Sequence, residues 1–131
     1  YEEKHGLFCA AGHAVLDAIQ GLSACCVAEH LHAQRVVARG YMRRRDLDLL
    51  KVEAAAFNVD NVEAQAILIL SAGCIGFLPV HYANHWVERG ALVQLLPARM
   101  ELVSKFTAIR RRLAPPPLVR SFLADLGVQR S

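Results

Sequence analysis

The sequence predicts an α/β domain with a mostly parallel sheet flanked by helices, and three observations predict it. Short runs rich in β-branched and apolar residues alternate with helical patterns along the 131 residues, the alternation expected of βαβ units. The segment from Ala64 to Ala72 is apolar nearly all round, so both faces of the helix it predicts should be covered by protein. The run Cys74-Ile75-Gly76-Phe77-Leu78 that follows is continuous and apolar, of the length expected for a strand buried on both sides.

Taken in order, Glu3 to Ala10 reads as a strand closed by Gly12-His13. Ala14 to Gln20 reads as a short helix ending at Gly21, and Leu22 to Leu31 has helical spacing weakened by Cys25, Cys26 and Val27. Ala33 to Ala38, with Val36 and Val37, reads as a second strand that Gly40-Tyr41 ends. Met42 to Val52 is charged and predicts a short exposed helix or loop that touches the body through Leu47, Leu49 and Leu50. Ala54 to Val59 is a third strand. Asp60 is the expected N-cap of the next helix, with Glu63 completing a capping box. Gly73 is the expected positive-φ stop. Pro79 opens another helix, where its missing N–H costs nothing, and Gly90 closes it after Arg89. Ala91 to Leu96 and Val103 to Arg110 read as strands, the second with Phe106 and Ile109 as its largest apolar residues. Beyond Pro115-Pro116-Pro117, a final amphipathic helix runs from Leu118 to Leu126 with a stripe of Leu118, Val119, Phe122, Leu123 and Leu126.

Composition narrows the function classes. An apolar content of 54% over this length builds one core. The net charge of +3 is modest, and the clusters Arg43-Arg44-Arg45 and Arg110-Arg111-Arg112 lack the interleaved aromatics of a nucleic-acid surface, so both read as solvated. Cys9, Cys25, Cys26 and Cys74 show no CxxC spacing and sit among apolar neighbours, which predicts reduced, buried thiols in a cytoplasmic protein. The span from Ala64 to Val80 is broken by Gly73, Gly76 and Pro79 into pieces well below the ~20 residues a membrane helix needs. The start resembles no signal peptide. Tyr1 leads almost at once into a strand, as expected of a piece of a larger protein.

No constellation for catalysis emerges, and neither a cofactor nor a metal is expected. His81 and His85 are four apart on a predicted helix and could share a face, but Tyr82 stands where a zinc protease helix carries its Glu, and no third ligand is near. Ser71, Ser104 and Ser121 lack a GxSxG setting. Gly73-Cys74-Ile75-Gly76 follows a helix and precedes a strand, the reverse of a dinucleotide fingerprint. Asp46, Asp48 and Glu53 lie in a charged stretch and read as solvated. Binding is the better-supported role. In sheets of this kind ligands gather at strand ends, and three segments are expected to meet there: Arg39-Gly40-Tyr41, Val59-Asp60-Asn61-Val62, and the turns at Gly73 and Gly76. The expected lining is Gly40, Tyr41, Val59, Asn61, Gly73 and Cys74. Backbone N–H groups near Asn61 and Gly73 would serve as donors, and a carboxylate is the ligand that a helix N-terminus suits. The alternative, in which Asp60 and Asn61 merely cap and the glycines merely permit turns and close packing, stays open on these residues alone.

The stretch from Tyr1 to His13 (Tyr1-Glu2-Glu3-Lys4-His5-Gly6-Leu7-Phe8-Cys9-Ala10-Ala11-Gly12-His13) resembles the strand and "G-H-P-L" turn of LysR-type transcriptional regulators, with Ala14 in place of the usual proline. Arg39-Gly40-Tyr41, Val59 to Leu70, Gly76-Phe77-Leu78-Pro79, Gly90-Ala91-Leu92 and Leu96-Pro97 are similar to that family's effector-binding domain in the same order. Pro117-Leu118-Val119-Arg120-Ser121-Phe122-Leu123 is similar to its last helix. The resemblance covers Tyr1 to about Val128. It implies a periplasmic-binding-protein-like (type II) fold of two α/β subdomains with a small-molecule effector in the cleft between them. This chain would hold the second subdomain, approximately Cys9 to Leu96, plus the returning strand and last helix of the first over 97–131, leaving apolar surface near Phe106 and Phe122 uncovered. It also implies a regulator, not an enzyme. Promoter DNA would be bound only through an N-terminal helix-turn-helix absent from this chain, and the full-length protein would be a homo-oligomer, dimer or tetramer. A stand-alone solute-binding module or an α/β enzyme fragment is the competing expectation.

Overall fold

The computed structural model describes residues 1–107, 109 and 116–125. In chain order the elements are β1 (Glu2–Ala10), α1 (Val15–Ile19), α2 (Ala24–His32), β2 (Val37–Arg39), α3 (Arg43–Leu50), β3 (Phe57–Val59), α4 (Val62–Leu70), β4 (Gly76–Pro79), α5 (Val80–Glu88), β5 (Leu92–Leu95), β6 (Glu101–Lys105) and α6 (Pro117–Asp125).

Strand β1 organises the sheet. One edge pairs antiparallel with β4, from His5↔Pro79 to Phe8↔Gly76. The other edge pairs antiparallel with β6 over its first half and with β5 over its second. Strands β2 and β3 pair in parallel. A parallel Val36–Ile75 bridge joins β2 to the approach of β4, with Val37 N–H donating to Ile75 O at 3.0 Å and Ile75 N–H to Arg35 O at 2.9 Å. The α/β class therefore holds, but the sheet is parallel only across β3, β2 and β4. The other strands share that direction without pairing in parallel, because β1 threads between them the opposite way. A local hydrophobic pattern carries no sign for strand direction, so this placement was invisible in sequence.

Alternation along β1 sends its side chains to two apolar layers. Leu7 and Cys9, with Ile75 and Phe77, pack against Val15, Val27, Leu31, Leu47 and Leu50 from α1, α2 and α3. Phe8, Val37, Leu78 and Leu92 pack against Ala66 and Ile69 of α4 and Ala83 of α5. Gln65 is fully buried and ties α4 to the sheet by donating from Nε2 to Val37 O at 3.0 Å. Gly76 is required where it stands. A Cβ there would lie 2.8 Å from Val37 O and 3.1 Å from Ile69 Cδ1, so the backbones of β2 and β4 and helix α4 meet through its missing side chain.

Several expectations shift. Asn61, not Asp60, caps α4: its backbone is extended and its Oδ1 accepts from Ala64 N–H at 2.8 Å. The left-handed residue after α4 is Ala72 (φ 60), not Gly73. Helix α4 is covered less fully than its composition predicts, with Ile67 67% exposed. Strand β6 begins and ends earlier than Val103–Arg110, since its partner β1 runs out at Glu2, opposite Lys105. Phe106 and Ile109 are exposed beyond it, as is Phe122 on α6. Arg110–Arg112, Pro115 and Leu126 lie outside the described residues. Cys9 and Cys74 are buried thiols, whereas Cys25 and Cys26 are exposed. Among the described residues no helix is long and apolar enough to cross a membrane.

Candidate functional site

The parallel strands β2 and β3 end side by side, with Arg39 opposite Val59. Gly40 N–H continues the ladder to Val59 O at 3.0 Å. Beyond Val59 the chain turns through Asp60 to Asn61 and starts α4. On the other side of β2, strand β4 ends at Pro79, opposite His5 of β1. Gly40, Tyr41, Val59 and Asn61 thus gather at one end of the sheet.

Gly73 and Cys74 do not join them. The Val36↔Ile75 register places Cys74 opposite position 35, at the start of β2. Gly40 is five residues further on, about 16 Å along the strand direction. Cys74 is buried there, and burial pushes its thiol up, against a smaller opposing effect of Arg35. The expected six-residue lining is therefore split between opposite ends of the sheet, because a parallel strand enters at the end where its neighbour also enters.

The strand ends close on Arg39, which belongs to the expected strand-end segment but not to the expected lining. Arg39 is 4% exposed. Its Nη1 donates to Tyr41 Oη at 2.9 Å, its Nη2 lies 3.3 Å from His5 Nδ1, and its guanidinium carbon sits 5.2 Å from the centre of the Tyr41 ring. Its Nε has no hydrogen-bond partner. His5 is buried, and burial holds its pKa below the ordinary imidazole value. Glu3 opposes that shift, while Arg39, Arg45 and His81 add to it. A neutral ring with Nδ1 accepting from Arg39 carries its proton on Nε2, the tautomer assigned from this contact. That nitrogen approaches Glu3 Oε2 at 3.0 Å without hydrogen-bond alignment. The exposed His81 of α5 reaches Glu3 Oε1 at 3.9 Å.

Asp46 reverses its expected exposure. It lies on the inner face of α3 with Leu47 and Leu50, 1% exposed, and neither carboxylate oxygen has a hydrogen-bond partner. Burial pushes its carboxyl up to about 7, against the pull of Arg39 and Arg45. Arg45 is held outward, donating to Val103 O at 2.8 Å and Ser104 Oγ at 3.4 Å on β6. Asp48, Glu53 and Arg43 to Arg45 are exposed as expected.

A separate groove of about 430 Å³ runs between α3 and the loop before β3, lined by Arg43, Arg44, Leu47, Asp48 and Asn58 among others. Among the described residues none of the buried unpartnered polar groups lines it, which makes the strand ends the better-built site. Among the described residues no cluster of His, Cys, Asp and Glu could hold a metal ion, and His81 and His85 are exposed. The arrangement therefore offers a buried guanidinium, oriented by a phenol and an imidazole, to a ligand of complementary charge.

No family model matches the chain. Over 136 residues it is 32% identical to the HTH-type transcriptional activator BauR of Pseudomonas aeruginosa, covering 98% of this chain and 42% of that protein. Its fold is similar to full-length HypT of Salmonella typhimurium, a hypochlorite-specific LysR-type transcriptional regulator, with a TM-score of 0.67 and 14% identity over 96% of this chain and 43% of that one. The regulatory domain of HypT in its apo form matches with a TM-score of 0.67 and 15% identity, over 97% of this chain and 61% of that one. The regulatory domain of AphB from Vibrio vulnificus matches with a TM-score of 0.61 and 16% identity, over 94% and 64%. The fold is that of a LysR-type regulatory domain, periplasmic-binding-protein-like. In fold the chain is similar to the regulatory domains of LysR-type regulators, and it spans less than half the length of the curated relative it matches.

Proposed function

We propose that this chain forms one wall of an effector cleft in a LysR-type transcriptional regulator, and that the effector is a small molecule bearing a carboxylate. The observation that carries this reading is Arg39, buried at the shared end of β2, β3 and β4 with one guanidinium N–H unpartnered. Tyr41, Gly40, Val59 and Asn61 surround that position, and the α4 N-terminus adds partial positive charge beside it. Gly73 and Cys74 take no part. Residues 97–131 would supply the returning strand and last helix of the partner subdomain. The exposed apolar side chains of Phe106 and Phe122 are what such a division leaves behind. DNA recognition would belong to a helix-turn-helix elsewhere in the full-length protein, and that protein would be an oligomer in the cytoplasm. The role this arrangement supports is binding, with the Arg39 guanidinium as the group that meets the ligand's charge.

The test measures promoter-fragment binding by the full-length protein, by fluorescence anisotropy, across a panel of small carboxylic acids. At least one acid should change the DNA affinity or footprint. Arg39→Gln should abolish that response while effector-free DNA binding stays within about twofold of wild type. A response unchanged in both Arg39→Gln and Tyr41→Ala would overturn the assignment.

A further inference from the structure

The cleft reading explains Arg39 but not the acid beside it. Asp46 is 1% exposed and both its oxygens lack partners, although the charge of Arg39 favours its ionised form. The two are linked through the backbone: Met42 N–H donates to Arg39 O at 3.0 Å and Asp46 N–H to Met42 O at 3.1 Å. Neither Asp46 oxygen bonds to Arg39, whose Nε is likewise without a partner. Instead, Arg39 leans on two uncharged groups, the Tyr41 hydroxyl and the His5 ring. Tyr41 is 69% exposed, so its hydroxyl is the partner that an incoming oxyanion can replace.

We propose that Asp46 is an internal rival of the bound carboxylate for Arg39. Protonated, it leaves the guanidinium to the ligand; ionised, it draws the guanidinium to itself, so the site takes anions best when Asp46 holds its proton. The inference rests on the cleft reading and adds a proton-linked control to it. Its physical basis is competition between two carboxylates for one desolvated cation, where a like charge placed close by raises the cost of ionising either.

The groups around Asp46 support this assignment. From β2 comes Arg39, and Arg45 is its own neighbour on α3; both favour the ionised form, and burial outweighs them. Helix α2 meets α3 through Val27 and Leu31, with Glu29 and His30 in solvent. On β6, Glu101 and Lys105 are paired at the surface with Lys4 and Glu2 of β1. From β1, His5 touches Arg39 and Glu3, with His81 of α5 against Glu3, and none of the three contributes to the Asp46 shift. A carboxyl held near 7 changes charge within the range a cell experiences.

The experiment is a saturation-transfer NMR titration of the full-length protein with acetate as the probe, between pH 6.5 and 8.5 at constant ionic strength. Wild type should lose about 25-fold in acetate affinity across that window, since a single proton titrating near 7 governs the site. Asp46→Asn should keep the pH 6.5 affinity at pH 8.5, and Asp46→Ser serves if the amide packs badly. His81→Gln should retain the wild-type fall, separating Asp46 from the exposed histidine. Arg39→Gln that binds acetate as wild type does would sink the cleft reading itself. Loss of binding in Arg39→Gln together with a wild-type pH profile in both Asp46 variants would overturn the rivalry and leave the cleft reading standing.

Discussion

Replacing Asp46 by Asn should change how stability depends on pH, whatever the ligand. The carboxyl has an ordinary value of 3.8 and is raised in the fold to about 7, first by burial. The folded state therefore binds more protons than the unfolded chain between those values, and stability falls as pH rises through that window. Below about pH 4 the group is neutral in both states and adds no pH dependence; above about pH 7 it is ionised in both and the full cost of the buried charge is present. Ionising a carboxyl held near 7 instead of 3.8 costs at most about 4 kcal/mol, and relaxation around an ionised Asp46, Arg39 included, brings the expected loss nearer ~2–3 kcal/mol. Asparagine is close in shape to the protonated acid and has no charge to bury. Urea unfolding at pH 4, 6 and 8 should thus find the variant equal to wild type at pH 4 and about 2–3 kcal/mol more stable at pH 8, with m unchanged. Parallel stability curves, separated by the same amount at all three values, would refute a buried, unpartnered carboxyl at this position.

Three further outcomes are expected. Asn61→Ala removes the acceptor of Ala64 N–H at the start of α4 and should cost about 1 kcal/mol by chemical denaturation. A Cβ added by Gly76→Ala meets a backbone oxygen 2.8 Å away, where no flexible tip can yield, and should cost about 1–3 kcal/mol, read as a lowered midpoint. Cys25 and Cys26 should react rapidly with a thiol reagent in the folded protein, whereas Cys9, buried and pushed up to about 11, and Cys74 should react only after unfolding; a third rapid thiol would contradict the packing of β1 or β4.

Local patterning made most elements legible, and the order helix, turn, strand from Asn61 to Pro79 was legible, although the left-handed residue is Ala72 and the strand begins only at Gly76. The cap moved by one position since Asp60 and Asn61 are both able, and the extended backbone falls at Asn61. The site was less legible because its parts are joined by strand register. Arg39 is hidden at the end of the apolar run Val36-Val37-Ala38, and only the parallel pairing shows that its strand end is also that of Val59. Asp46 did leave a signal: it stands four residues after Met42 and four before Leu50, both buried, on the inner stripe of its helix. The surrounding charges Arg43, Arg44, Arg45 and Asp48 masked that period. Cys74 failed for the opposite reason, since sequence proximity to a turn does not say at which end of the sheet the turn lies.

The threading of β1 also constrains how the domain is made. Its partners are far away in the chain, with Phe8 opposite Gly76 and Glu2 opposite Lys105, so the contact order is high and loop-closure entropy must be met before the pairing stabilises anything. During synthesis the β2–β3 pair and its neighbouring helices can dock early, while β1, already outside the ribosome, presents two unsatisfied edges until β4, β5 and β6 emerge. That interval is where a chaperone would find its substrate, and where a slow codon placed ahead of β4 would lower the yield of folded protein.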